Sequence, residues 1–160
     1  WEDRKPKLAA IVDLARNRTL SGEVGSGCWD GNRPMQVSSV EAVGQSVLAT
    51  GFPTGRSFDS ECLDAFVSSV QNFKKIRMLG SAALSLAYVA EGVFEAYCEE
   101  DIWIWDVAAG LALVIAAGGA MWMTPPNKKG QVTVFASNGL LTPPATLFAA
   151  HENLEKYINT

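Results

Sequence analysis

Histidine is almost absent from this sequence, cysteine is sparse, and basic residues never cluster. Each shortage closes off a class of chemistry. A single histidine, His151, gives no basis for a histidine-rich metal site or a histidine-dependent triad. The cysteines Cys28, Cys62 and Cys98 are odd in number, widely spaced and without a C-x-x-C pair. That argues against a disulfide framework or a zinc site and fits a reducing cytoplasm. Lys74-Lys75 and Lys128-Lys129 are isolated pairs in a chain of net charge -4, so neither nucleic acid nor an anionic membrane is an expected partner. The uncharged stretch Val107 to Met123 falls short of a comfortable membrane span and breaks at Gly118-Gly119. It reads as a buried helix followed by a buried strand. The start, WEDRKPKL, is charged and has no apolar centre, unlike a signal peptide. The glycine-rich stretch 22–31 leads into no helix and lacks the lysine of a phosphate-binding loop.

What remains is an ordinary globular composition: 160 residues, 48% apolar and 19% charged. Leu8 to Ala15 is apolar and partly β-branched, Arg16-Asn17-Arg18 makes a plausible turn, and Thr19 to Val24 reads as a returning strand. Arg33 to Val37 adds another short strand. From about residue 46 the pattern alternates between strands and helices, as in an α/β layered fold. Strands are expected at Ser46 to Thr50, Ile76 to Leu79, Phe94 to Cys98, Ala120 to Thr124 and Val132 to Ala136. Helices are expected at Ser60 to Lys75, with Leu63, Phe66, Val67, Val70 and Phe73 on one face, and from a Ser81 cap to Ala90. A third helix opens near Asp106. A last one starts at Thr142 and Pro143, with Leu147, Ala150, Leu154 and Ile158 as its buried stripe. The fold class is thus an α/β layered sandwich. Residues 1–45 are the remnant of an N-terminal antiparallel sheet lobe, and residues 46–160 form a C-terminal α/β lobe with a mixed sheet and flanking helices.

One stretch carries chemistry: Ile102 to Gly119, IWIWDVAAGLALVIAAGG. It sets a carboxylate, Asp106, in the first turn of a helix that is apolar all round. Such a helix is buried, so its start lies at an interior edge. There the helix dipole favours the negative charge, and the carboxylate can hold a hard cation such as Mg²⁺ through oxygen. The small residues Ala108, Ala109 and Gly110 keep the turn slim. The plainer reading, an N-cap aspartate on a core helix, stands beside it.

WDVAAG followed by an apolar helix and AGG resembles the C-terminal signature of the inositol monophosphatase superfamily. The likeness extends outward. IRMLGSAALSLAYVAEGVFEAYCEE resembles the family's R-x-x-G-[ST]-A-A segment with its helix and the following acid-ended strand. GSGCWDGNRPMQVS is similar to its G-x-G-A-x-x-N-G-x-P-I-x-V-S loop, LAAIVDLARN to the strand before it, and VTVFASNGLL to the final strand with its asparagine. The resemblance implies Mg²⁺-dependent hydrolysis of a small phosphorylated polyol or sugar, with two or three metal ions activating water and neutralising the leaving oxygen.

Position by position, the resemblance implies a metal ligand at Asp106, substrate contacts through the backbone at Gly80, Ser81 and Ala82, and a hydrogen bond from Glu99 to a substrate hydroxyl. Adjacent Glu100 and Asp101 leave the last register open, and a solvated acidic run is the plain alternative. Ser81 also suits a simple helix cap. Arg77 reads as structural. Arg56, in GFPTGR, is a phosphate-contact candidate or an exposed loop arginine.

The sequence also departs from the family. Its D-P-[IL]-D-G-T signature and the G-E-E segment before it, which supply most metal carboxylates, are missing, and they belong before Leu8. Ala116 replaces a glutamate common before AGG. A single aspartate does not hold an octahedral Mg²⁺ cluster, so the chain is expected to be the C-terminal part of a phosphatase, inactive alone. The alternative is a non-catalytic domain of the same fold serving binding or assembly. Without the missing half, residues 8–37 would expose apolar surface and a strand edge, so a homo-oligomer is expected.

Overall fold

The computed structural model describes residues 1–3, 5–52, 59–148 and 154–158, with the side chains of the last two outside the description. The first strands form an antiparallel meander in the order β1 (Leu8–Asp13), β2 (Arg18–Glu23), β3 (Gly27–Asp30) and β4 (Arg33–Pro34). Alternation sorts the side chains of β1: Ala9, Ile11 and Asp13 point inward, while Leu8, Ala10 and Val12 point out. The strand Gly27–Asp30 lay hidden in the glycine-rich segment, which reads locally as loop.

Six further strands form a mixed sheet in the order β10-β8-β9-β7-β5-β6. They are β5 (Val47–Thr50), β6 (Lys75–Arg77), β7 (Ala96–Trp103), β8 (Ala120–Met123), β9 (Gln131–Ser137) and β10 (Glu155–Ile158). Strand β5 runs parallel to β6 and β7, and the remaining pairs are antiparallel. Period-2 alternation divides the core in two. Ala49, Tyr97, Met121, Met123, Val134 and Ala136 join a cluster with helices α2 (Ala82–Ala90) and α3 (Ile104–Ala116) and with Ile11 and Leu20 of the meander. Leu48, Ala96, Cys98, Trp122 and Phe135 join the other cluster, with Val70 of α1 (Ser60–Val70) and Phe73 just after it. The layers therefore run meander, α2 with α3, mixed sheet, α1.

Glycines set the closest approaches. A Cβ on Gly110 would lie 2.4 Å from Leu86 Cβ, so α2 and α3 cross where neither could carry more bulk. A Cβ on Gly22 would lie 3.1 Å from Ala116 Cβ, where the meander meets α3. A charge cluster ties the same layers at their far end. Arg18 on β2 donates to both Glu91 oxygens, at 2.6 and 2.9 Å, and at 3.3 Å to Asp13 and to Asp30. Glu91 is the C-cap of α2.

Three expectations are corrected. The last helix is absent where it was expected to end: Glu155–Ile158 is a strand that pairs antiparallel with β8. Residues 145–148 make a turn, and Ala150 and His151 lie outside the described residues. The reason is the open edge of β8, whose unpaired backbone groups gain a hydrogen-bonding partner. Helix α1 stops at Val70 rather than Lys75, because the Lys74 amide turns to donate to Ser46 O at 3.0 Å and Lys75 opens β6. Leu63 and Val67 of its presumed buried face are exposed, leaving Phe66, Val70 and Phe73 inward. No helix among the described residues is long and apolar enough to cross a membrane.

Candidate active site

The carboxyl ends of the parallel strands β5, β6 and β7 open into a cavity of about 700 Å³. Ligands favour such places, because the strand ends and the following helix starts leave backbone groups unpaired there. Each element delivers residues for a local reason. Gly80 adopts φ +71°, a conformation that a side chain disfavours, and turns the chain from β6 into α2. Ser81 then caps α2, its hydroxyl accepting from the Leu84 amide at 3.3 Å. The orphan donors of a helix start fall on Ala82 and Ala83, both cavity-lining. Gly80, Ser81 and Ala82 thus all line the cavity, and the cap reading of Ser81 holds as well.

Strand β7 brings Tyr97 and Glu99 to the same wall. Of the three successive carboxylates, Glu99 lines this cavity, whereas Asp101 is exposed at an irregularity within β7, with φ +53°, where the register shifts between Glu99 and Ile102. The Tyr97 hydroxyl donates to Glu99 Oε2 at 2.7 Å. Burial pushes the Glu99 carboxyl above its usual range, the tyrosine bond pulls it back in part, and the nearby Asp106 charge pushes it up further. Burial, and then the charge and hydrogen bond of Glu99, keep the Tyr97 phenol protonated well above its ordinary range.

Asp106 lies in the first turn of α3 and lines the cavity with Trp105. It is not the N-cap: Trp103 holds that position and makes no side-chain cap bond. Trp105 is 65% exposed at the rim and stacks on Trp103, ring centres 4.7 Å apart. Arg77 stays outside the cavity and donates to its neighbour's carbonyl, Ile76 O, at 2.9 Å. Arg56 lies outside the described residues.

Sequence reasoning missed Thr50, Gly51 and Tyr97, which also line the cavity. Tyr97 had a signal, since it lies two positions before Glu99 on a strand, which places both on one face. Among the described residues no group of three or more His, Cys, Asp or Glu side chains could hold a metal ion. Among the described residues the cavity is lined by two carboxylates, Asp106 and Glu99, the second already accepting from Tyr97. These residues do not fit a complete Mg²⁺ site, which requires octahedral oxygen ligation. The cysteines are all free thiols; burial pushes Cys28 up to about 11 and Cys98 up to about 12, which makes both poor nucleophiles at neutral pH.

Comparison with known proteins gives the setting for this cavity. A model of the inositol monophosphatase family matches residues 1–159. A protein named Nus factor SuhB from Xylella fastidiosa is 40% identical over 122 residues, covering 74% of this chain and 43% of its own length. An inositol-1-monophosphatase of Rhizobium meliloti is 35% identical over 124 residues, 77% of this chain and 46% of its own. The solved inositol monophosphatase of Anabaena (Nostoc) sp. PCC 7120 superposes with a TM-score of 0.74 at 32% identity, over 84% of this chain and 54% of that one. The chain thus spans about half the length of the relatives it matches.

Proposed function

This chain belongs to the inositol monophosphatase family, and from that premise we propose that it is the C-terminal part of a Mg²⁺-dependent phosphomonoesterase acting on inositol phosphate or a related small sugar or polyol phosphate. The observation that carries this reading is convergence. The start of α2 at Gly80, Ser81 and Ala82, the Glu99 carboxyl and the Asp106 carboxyl, which come from three separate elements, line one cavity.

In this reading the helix start meets the anionic end of the substrate, since its orphan amides and dipole favour negative charge. Glu99 accepts a hydrogen bond from a ring hydroxyl, fixing the ring relative to the phosphate. Asp106 would give one oxygen to a metal ion whose other ligands the described residues do not supply. When bound, such metals supply the charge neutralisation that phosphoryl transfer needs.

The chain alone is accordingly expected to show little or no hydrolysis. A phosphomonoesterase assay on the pure chain, with inositol 1-phosphate and Mg²⁺, tests this. Clear turnover that Asp106→Ala abolishes would overturn the expected inactivity. The lack of a metal-holding cluster among the described residues also supports a second reading, a non-catalytic domain of this family serving binding or assembly. The free thiols suit a reducing cytoplasm. The outward residues Leu8 and Val12, 68% and 58% exposed, suit a homo-oligomer that covers them.

A further inference from the structure

Glu99 is a long side chain on a strand, and a glutamate of that kind ordinarily samples many rotamers. Here two neighbours restrain it. Tyr97 leaves β7 on the same face two residues earlier, and its ring is packed into the core at 1% exposure, so the hydroxyl is the part that reaches the cavity wall. That hydroxyl donates to Oε2. Gly51, at the end of β5, comes up against the same carboxyl group. A Cβ on Gly51 would lie 2.6 Å from Oε2, 2.8 Å from Cδ and 2.9 Å from Oε1. Three nearly equal distances mean that the carboxyl group lies flat against the glycine. Any side chain at this position would take its seat.

We infer that Tyr97 and Gly51 are the positioning residues of Glu99: Gly51 leaves the space the carboxyl group occupies, and Tyr97 holds Oε2, so that Glu99 meets a substrate hydroxyl as a pre-set acceptor. The inference rests on the reading of Glu99 as the hydroxyl contact and adds how that contact is prepared. Ordering the side chain before the ligand arrives removes an entropic cost from binding. A phenol that donates to the carboxylate favours the ionised form against burial. An ionised Glu99 accepts and does not donate, so it selects a ligand hydroxyl at this point over a carbonyl or a second phosphate.

The groups around Glu99 are few. Tyr97, Glu100 and Asp101 share its strand, Asp106 faces it from α3, and β5 presents only the uncharged Thr50 and Gly51. No lysine, arginine or histidine among the described residues lines the cavity. Among these groups the bond from Tyr97 is the influence that favours the ionised form of Glu99, so its removal has a definite sign.

The test is a ¹³C carboxyl titration of the purified chain, with Glu99→Gln identifying the Glu99 signal. Tyr97→Phe keeps the ring and deletes the hydroxyl; the Glu99 midpoint is expected to rise by about 1 pH unit. Gly51→Ala drives the carboxyl group from its seat toward water, and the midpoint is expected to fall toward the ordinary glutamate range. An amide spectrum unchanged away from the cavity confirms that each variant is folded. A Glu99 midpoint that stays put or falls in Tyr97→Phe would overturn the role of Tyr97. An unmoved midpoint in Gly51→Ala would overturn the seat, and that arm stands even where Tyr97→Phe does not fold. No substrate is present, so the result is independent of any phosphatase assay, and a failed assay counts against the proposed function alone.

Discussion

The two sheets are finished to different degrees. The mixed sheet is covered on both faces, by α2 and α3 on one side and by α1 with Leu141, Leu147 and Phe148 on the other. Among the described residues the four-stranded meander is covered on one face only, and its outer face leaves Leu8 and Val12 in the open. The candidate site stands at the edge of the finished sheet, where strand ends and helix starts are held by packing on both sides.

Five variants sharpen that contrast. The largest effect is expected inside the finished half. Gly110→Val would press a branched side chain into Leu86, and urea unfolding should show a loss of about 3 kcal/mol from overpacking. Glu91→Ala comes next. It removes a carboxylate with a 5% exposed side chain from Arg18, which then has to rely on Asp13 and Asp30. That pair lies between the surface and buried limits, and a loss of about 2 kcal/mol is expected in the same measurement.

Two acids then part in sign. Burial opposes the Asp13 charge, but hydrogen bonds from Arg16 and Arg18 outweigh it and hold the carboxyl below its usual range. Its stabilising contribution is present above the ordinary aspartate value and fades as pH falls through the folded one. Glu99 is shifted the other way, chiefly by burial, so its ionisation costs stability as pH rises from the ordinary glutamate value through the raised folded one. Melting curves at neutral pH should therefore show Asp13→Asn lowering Tm and Glu99→Gln raising it slightly. Both differences should shrink in acid. A Glu99→Gln variant that melts lower at neutral pH would contradict the shift.

The smallest effect on stability belongs to the open face. Leu8→Glu with Val12→Glu should change unfolding free energy by less than about 0.5 kcal/mol per site, because both side chains are exposed already. Sedimentation should nonetheless show a lower mass if that face joins copies of the chain. A wild-type chain that sediments as a clean monomer would remove the self-association proposal.

Much of the finished half was legible because its signals are local. The Ser81 cap and the apolar helix after Asp106 each announce themselves within a few residues. The five family-like segments then linked these residues to one another, which spacing alone does not do. What stayed hidden depends on partners distant in sequence. Strand β10 exists because β8 offers an edge, and nothing within residues 142–158 signals that. Gly51 reads as a turn residue in GFPTG, yet its lack of a side chain matters to Glu99, brought beside it by the pairing of β5 with β7. Leu63 and Val67 fit a helical stripe, yet α1 packs through Phe66 and Val70 and leaves both exposed.

The account rests on Asp106, Glu99 and the start of α2 forming one wall around a place for a cation beside an anion. Mn²⁺ takes oxygen ligands as Mg²⁺ does and broadens nuclear resonances within reach, even when it binds weakly. Titrated into the labelled chain with inorganic phosphate, Mn²⁺ should first broaden the amides of Gly80 to Ala83, Glu99 and Asp106, and Asp106→Asn should abolish that pattern. Broadening centred elsewhere, or unchanged by Asp106→Asn, would contradict the site.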